Sequence, residues 1–272
     1  MSAIATSDAI LAGSTSEPAA AAYRMFYALA GLALLATVCG VGRHLAESLA
    51  ALMPGHGTTA VRLAAVPASA WLFAVAHLVA AVASLAVGYL VISLAYPRRF
   101  LEREARANPA AAIQASAHLL GAAVIAIVSW GGCDAPSLVV SLVFCVLGWV
   151  AVIVIGAAHR LVTRYRDHEE IAAGNTAAAL AAAGLHLAVA LVVGHAIQGQ
   201  FAGWGQAFSG FAAALVVVFG LYPLRQVVLA RLILRMSPSA MDAAVAGQRD
   251  HYLGAAEAAC YVLTALCLTA GW

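Results

Sequence analysis

Apolar residues run through this chain in long unbroken stretches, and polar residues gather in the short segments between them. Crossing about 30 Å of hydrocarbon as a helix takes about 20 apolar residues, because every backbone N–H and C=O must be paired within its own segment. Seven stretches meet that demand, at residues 24–42, 70–96, 109–130, 137–158, 172–197, 206–222 and 251–271. Transmembrane strands would alternate polar and apolar residues over about 10 positions, and no such alternation is present. The fold class to expect is all-α, a polytopic membrane protein with seven transmembrane helices.

Composition sharpens this reading: 64% of the residues are hydrophobic and 10% charged, with a mean hydropathy of +0.93, whereas soluble domains carry about 25% charged residues. All 14 basic residues are Arg and there is no Lys. A P-loop lysine, a pyridoxal Schiff base and a retinal Schiff base are therefore excluded, the last despite a span count that suits a rhodopsin.

Orientation follows from the arginines, since basic residues in short loops stay on the cytoplasmic side. Arg24 precedes the first span. Arg98, Arg99, Arg103 and Arg106 follow the second, Arg160, Arg164 and Arg166 the fourth, and Arg225, Arg231, Arg235 and Arg249 lie between the sixth and seventh. Arg43 and Arg62 fall on the opposite side. The amino terminus is thus expected inside and the carboxyl terminus outside. Residues 1–22 hold Asp8 and Glu17 but no base, the wrong charge for a cleaved signal peptide. They read as a disordered cytoplasmic tail, and 23–69 as a retained anchor helix with an outer connection. Of the five cysteines, four lie in spans and Cys133 alone in an outer loop, so no disulfide framework follows.

A short sequence recurs. Asn108-Pro109-Ala110-Ala111-Ala112-Ile113 returns 67 residues later as Asn175-Thr176-Ala177-Ala178-Ala179-Leu180, each time after a linker bearing Arg and Glu and at the start of a span. Asn is a favoured helix N-cap, and Pro at the first helical position has no N–H to lose. Asp250 stands in the same place before the last span. The arrangement predicts three parallel two-helix units, 70–133, 134–200 and 201–272, each with an inward helix, a basic linker and a capped outward helix, and with the first span outside the pattern. The third, fifth and seventh spans are rich in Ala and Gly, which lets helix backbones approach closely; they are expected to be the inner helices. Pro223 and the Arg-bearing stretch 224–236 read as a kinked amphipathic continuation at the cytoplasmic surface.

The capped motif at Asn175 with Gly184 nine positions later, the basic linkers and the small-residue final span ending at Trp272 resemble the YjfL-like bacterial inner-membrane proteins, catalogued as domain of unknown function number 350. The resemblance covers residues 70–272. It implies placement in the bacterial inner membrane and cytoplasmic envelope-stress proteins as partners. Pro109, Ala117 where Gly would stand, and Asp250 depart from the pattern.

An ionisable group at membrane depth costs at least about 2.5–3.5 kcal/mol on insertion scales, so each requires a partner or a function. Glu257, Gln114, His118, His186 and His77 lie within spans. His118 is 10 residues past Asn108 and His186 is 11 past Asn175, which equalises their depths but offsets them by about 100° of rotation. These five residues are expected to line a polar intramembrane path or, failing that, to be satisfied singly by neighbouring hydroxyls and carbonyls. His118 and His186 could in principle hold a bis-histidine haem, but nothing else in the chain supports it, so no cofactor and no metal are expected. His168, Glu169 and Glu170 read as a solvated capping run. Nucleophilic triads, nucleotide loops and Cys-x-x-Cys pairs are absent; an enzyme is not expected, nor is a nucleic-acid partner. The expected function is a channel or transport component for a small solute or ion, embedded in the lipid bilayer as a homo-oligomer. The alternative is a non-transporting scaffold that recruits envelope-stress partners through its arginines.

Overall fold

Ten α-helices and one π-helical segment occur among the described residues of a computed structural model, which are 17–53, 55, 58–94, 108–160, 166–198, 201–221 and 224–270. They are α1 (Glu17–Ala51), α2 (Thr59–Ala64), α3 (Ala68–Leu94), α4 (Pro109–Ser129), α5 (Ala135–Arg160), α6 (Asp167–Ala172), α7 (Thr176–Ile197), α8 (Trp204–Phe219), the π-helical segment Leu224–Ile233, α9 (Pro238–Ala246) and α10 (His251–Ala270). No strand occurs among the described residues. Arg98, Arg99, Arg103, Arg106 and Arg164 lie outside the described residues, as do the side chains of Arg160 and Arg225.

Among the described residues six helices are long and apolar enough to cross a membrane: α1, α3, α4, α5, α7 and α10. α8 is shorter. Its 16 residues span about 24 Å at 1.5 Å per residue, short of the hydrocarbon thickness. Within the expected span over 206–222, α8 ends at Phe219 with Gly220 as its C-cap, and a π-helical segment runs from Leu224. α1 starts at Glu17, inside the segment read as a tail, and extends to Ala51.

The long helices form two layers. In the first, α1 packs on α4, α4 on α7, and α7 on α10; in the second, α3 packs on α5 and α5 on α8, and α1, α4 and α7 each pack against the second layer. Contacts along each pair fix direction. Gly40 meets Ile127 while His44 meets Gly131, so α1 and α4 run the same way; Gly121 meets His186 while Val124 meets Gly194, so α4 and α7 do too. Ala177 meets Gly254 and Gly184 meets Ala258, which makes α7 and α10 parallel as well. In the second layer His77 reaches Ser137 and Gly88 meets Trp149, so α3 and α5 are parallel. α3 opposes α4, since Ser93 pairs with His118 and Ser84 with Trp130.

α1 extends the row formed by α4, α7 and α10. One expectation changes here: the last span is not interior. α4 and α7 bury about three quarters of their most apolar windows (72% and 78%), but α10 only 22%. α10 buries one stripe, Leu253, Gly254, Glu257, Tyr261 and Ala265, at a spacing of three to four residues, as expected of a helix touched on one side. It is the end of a row, and Ala-rich sequence serves equally well for one close neighbour as for two.

Turns use the residues their geometry requires. Gly132 (φ 111°) turns the chain from α4 into α5, and a Cβ there would strike the Ser137 side chain. By contrast Arg235 (φ 52°) and Arg249 (φ 56°) occupy left-handed backbone, which costs a non-glycine residue about 1–2 kcal/mol.

Candidate functional site: buried polar groups and helix caps

The recurring asparagines do more than cap. Asn108 Oδ1 accepts from the N–H groups of Ala110 (2.9 Å) and Ala111 (3.3 Å), and its Nδ2 donates across to the carbonyls of Ile171 (2.8 Å) and Ala172 (3.3 Å) at the end of α6. Asn175 repeats the arrangement. Its Oδ1 accepts from Ala177 and Ala178, and its Nδ2 donates to Val245 (2.9 Å) and Ala246 (3.2 Å) at the end of α9, and to Glu170 Oε2 (3.0 Å). Each Asn therefore satisfies the start of its own helix and the exposed carbonyls of the next short helix. Asp250 caps α10 through Tyr252 and Leu253, but a carboxylate has no proton to pass forward.

The histidines occupy two separate places. Near one end of the bundle His77 is fully buried. Its Nδ1 contacts the Phe73 carbonyl (2.8 Å) and its Nε2 the Ser137 hydroxyl (3.3 Å), with Trp130 edge-on at 6.1 Å. Ser137 also closes a turn with Asp134, whose Oδ1 accepts from the Ser137 N–H at 2.8 Å. Those bonds hold the Asp134 carboxyl below the usual carboxylate range, against a small opposing effect of burial, with His77 contributing least. Burial and the neighbouring Asp134 push the Cys133 thiol up, so it is held as a thiol.

Deeper in the bundle, Gln114 Nε2 lies 2.7 Å from His118 Nε2, and His118 Nδ1 lies 3.3 Å from the Ser93 hydroxyl. The His186 ring packs tilted on that of His118, with centroids 4.8 Å apart. Gln114, His118 and Ser93 have no solvent exposure and His186 has 3%. Both ring nitrogens of His118 are engaged, so one tautomer donates to Ser93 and accepts from Gln114, and the other reverses both bonds if the amide turns over. In the first arrangement Gln114 Oε1 is a buried acceptor with no hydrogen-bond partner among the described residues. The rotational offset between the two histidines is what lets them meet. Parallel helices side by side point equal positions in equal directions, so only a difference in rotation turns one ring toward the other.

Glu257 is buried to 1% exposure but does not join this group. It lies on the α10 stripe against α7, the face of α7 that carries Gly184. His186 faces α4 beside Gly121, and Gly184 and His186, two residues apart, are separated by about 200° around the helix. The five candidate residues thus fall in three places: His77 at the α3–α5 end, Gln114 with His118 and His186 between α3, α4 and α7, and Glu257 between α7 and α10.

Small hydroxyls inside apolar spans are too common to single out from sequence, and they complete the picture. Ser93 joins His118 as above. Trp130 Nε1 donates to Ser84 Oγ at 2.9 Å, and Ser129 and Ser141 are buried nearby on α4 and α5. Between this group and the Gln114–His118 group stands Ile125, fully buried and filling the space above Gly148. Among the described residues no cluster of three or more His, Cys, Asp and Glu could hold a metal ion.

No curated protein and no solved structure matches the chain. A family model described as Domain of Unknown Function (DUF350) matches residues 133–271, which takes in α5 through α10, with the Asn175 and Asp250 caps, His186 and Glu257. That match spans just over half of the 272 residues, and this helical, membrane-type chain accordingly belongs to the family described as Domain of Unknown Function (DUF350).

Proposed function

We propose that the protein is a transport component for protons or small ions, and that Gln114, His118, Ser93 and His186 form the group through which the ion or proton is handled. The observation that carries this reading is a mid-span imidazole with both nitrogens engaged, beside a buried amide that has only one of its two polar atoms partnered. Ionisable groups at that depth are costly and mark ion or proton pathways. Gln114, His118, Ile125 and Ser129 share one face of α4. On it two polar groups are separated by about 16 Å of apolar side chains, from His118 to Ser129 at 1.5 Å per residue. Ile125 against Gly148 is then the constriction that opens, a gate of the dewetting type.

The architecture belongs to the same proposal. α8 completes a seventh crossing with help from the residues that follow it, the capped helices and their partners are parallel two-helix units, and the basic linkers face the cytoplasm of a bacterial inner membrane. The chain acts without enzyme chemistry. A scaffold reading draws on the exposed Arg24, Arg166, Arg231, Arg235 and Arg249, which a cytoplasmic partner would meet.

The test is flux through proteoliposomes. Purified protein reconstituted with a pH-sensitive or ion-sensitive dye inside is expected to dissipate an imposed gradient, and His118→Leu is expected to slow that at least about tenfold, the cost of removing a relay group. Gly210→Ala, on an open face of α8, is expected to leave the flux unchanged. Wild-type vesicles no leakier than empty ones would exclude the transport reading and leave the scaffold.

A further inference from the structure

Two backbone positions hold a strained arginine where the fold would accept glycine. After the π-helical segment the Met236 N–H reaches back to the Ala230 carbonyl (2.9 Å), and after α9 the Asp250 N–H reaches the Ala244 carbonyl (3.1 Å). Each bond spans six residues, one more than in a Schellman ending, and encloses a left-handed residue of the kind glycine ordinarily supplies at a helix end. Gly174 (φ 84°) fills that role after α6, but Arg235 and Arg249 fill it in the other two. A side chain kept at a position that disfavours it points to a use outside the fold.

The surroundings indicate what that use is. Arg231, Arg235 and Arg249 are exposed, and among the described residues no carboxylate stands within ion-pair distance of any of them. Arg43 and Arg166 behave differently, pairing with Glu47 (3.0 Å) and Glu169 (2.8 Å). Beside Arg231 the apolar Leu232 and Ile233 are 67% and 62% exposed. This surface lies at the end of the bundle that carries the Asn175 and Asp250 caps. Guanidinium groups next to outward-facing Leu and Ile, at the end of a membrane bundle, are the pattern of a segment seated at the boundary between headgroups and acyl chains.

We propose that Arg231, Arg235 and Arg249 bind anionic phospholipid headgroups of the leaflet at the capped end of the bundle, with Leu232 and Ile233 set into the acyl boundary. Guanidinium presents a planar fork that matches phosphate oxygens, and an anionic leaflet attracts each basic residue near it. Arg235 precedes α9 and Arg249 follows it, so the groups are separated by about the 14 Å length of nine helical residues. That spread suits several headgroups better than one compact ligand. An acidic protein would account for the arginines but not for the outward Leu232 and Ile233.

The experiment uses the full chain in nanodiscs of phosphatidylcholine alone or mixed with phosphatidylglycerol, read by melting temperature and by the lipid retained in native mass spectrometry. Phosphatidylglycerol is expected to raise the wild-type Tm by on the order of 5 °C. The variant R231Q/R235G/R249G is expected to melt in phosphatidylcholine no lower than wild type, because glycine relieves the two left-handed positions. It should lose the phosphatidylglycerol increment and retain at least about fivefold less of that lipid. R235K/R249K, which keeps the charges, is expected to keep the increment. An unchanged increment in the glycine variant would overturn the proposal. So would a glycine variant that melts lower in phosphatidylcholine, since the arginines would then be helix caps. A wild type indifferent to phosphatidylglycerol but bound by an acidic peptide would overturn it in favour of a protein partner.

Discussion

Gly184→Leu is expected to detach α10 from the bundle. A Cβ at Gly184 would fall on the Ala258 backbone, with Ala258 Cβ at 2.5 Å and its carbonyl oxygen at 2.9 Å. Backbone cannot move aside as a flexible side chain can, and the reciprocal contact of Gly254 with the Ala177 backbone locks the same pair of helices at a second point nearer their capped ends. In lipid there is no hydrophobic force to restore the contact, since close packing is itself the source of association. The cost is expected to be at least about 3 kcal/mol, the upper range for overpacking a fitted core. Melting in detergent, followed by fluorescence-detected gel filtration, should show loss of the monodisperse folded peak. Gly210→Leu, where nothing lies within 4 Å, should leave it unchanged.

The second large effect is at Asn175. Asn175→Ala removes a cap worth about 1 kcal/mol and strips the Val245 and Ala246 carbonyls and Glu170 of a donor, at about 1–3 kcal/mol for polar groups left buried. Asn175→Asp is the sharper probe. It keeps an oxygen for Ala177 and Ala178, so α7 stays capped, but it sets a carboxylate against two carbonyls and against Glu170, 3.0 Å away in the native contact. It is expected to destabilise at least as much as alanine, although it is the better cap on its own. The converse change, Asp250→Asn, is expected to be tolerated, because it keeps the cap on Tyr252 and Leu253. Thermal melts of the three variants, ranked together, separate capping from bridging.

These residues also show how far the sequence can be read. The long apolar runs declare the helices because lipid leaves no other way to pair the backbone. Asn108 with Pro109, and Asn175, declare two helix starts because N-cap chemistry is local. Their second role, donation to the ends of α6 and α9, was not legible, since those carbonyls lie 63 to 71 residues away in the chain. Depth was legible for His118 and His186, because rise per residue is constant. Which faces meet was not, because it depends on how helices are arranged around one another. For the same reason the sequence does not tell that α10 buries only one face, the stripe that carries Gly254 and Glu257.

The central claim is a row of parallel helices whose capped ends share one side of a membrane. Single cysteines in a background lacking Cys39, Cys133, Cys145, Cys260 and Cys267 test it directly, with a membrane-impermeant maleimide applied to sealed vesicles of known orientation. Ala173→Cys and Gln248→Cys, exposed beside the Asn175 and Asp250 caps, should react from one side, and Ala135→Cys and Ala202→Cys, exposed at the opposite end, from the other. If Ala173→Cys and Gln248→Cys reacted from opposite sides, α7 and α10 could not run in parallel and the account would be wrong.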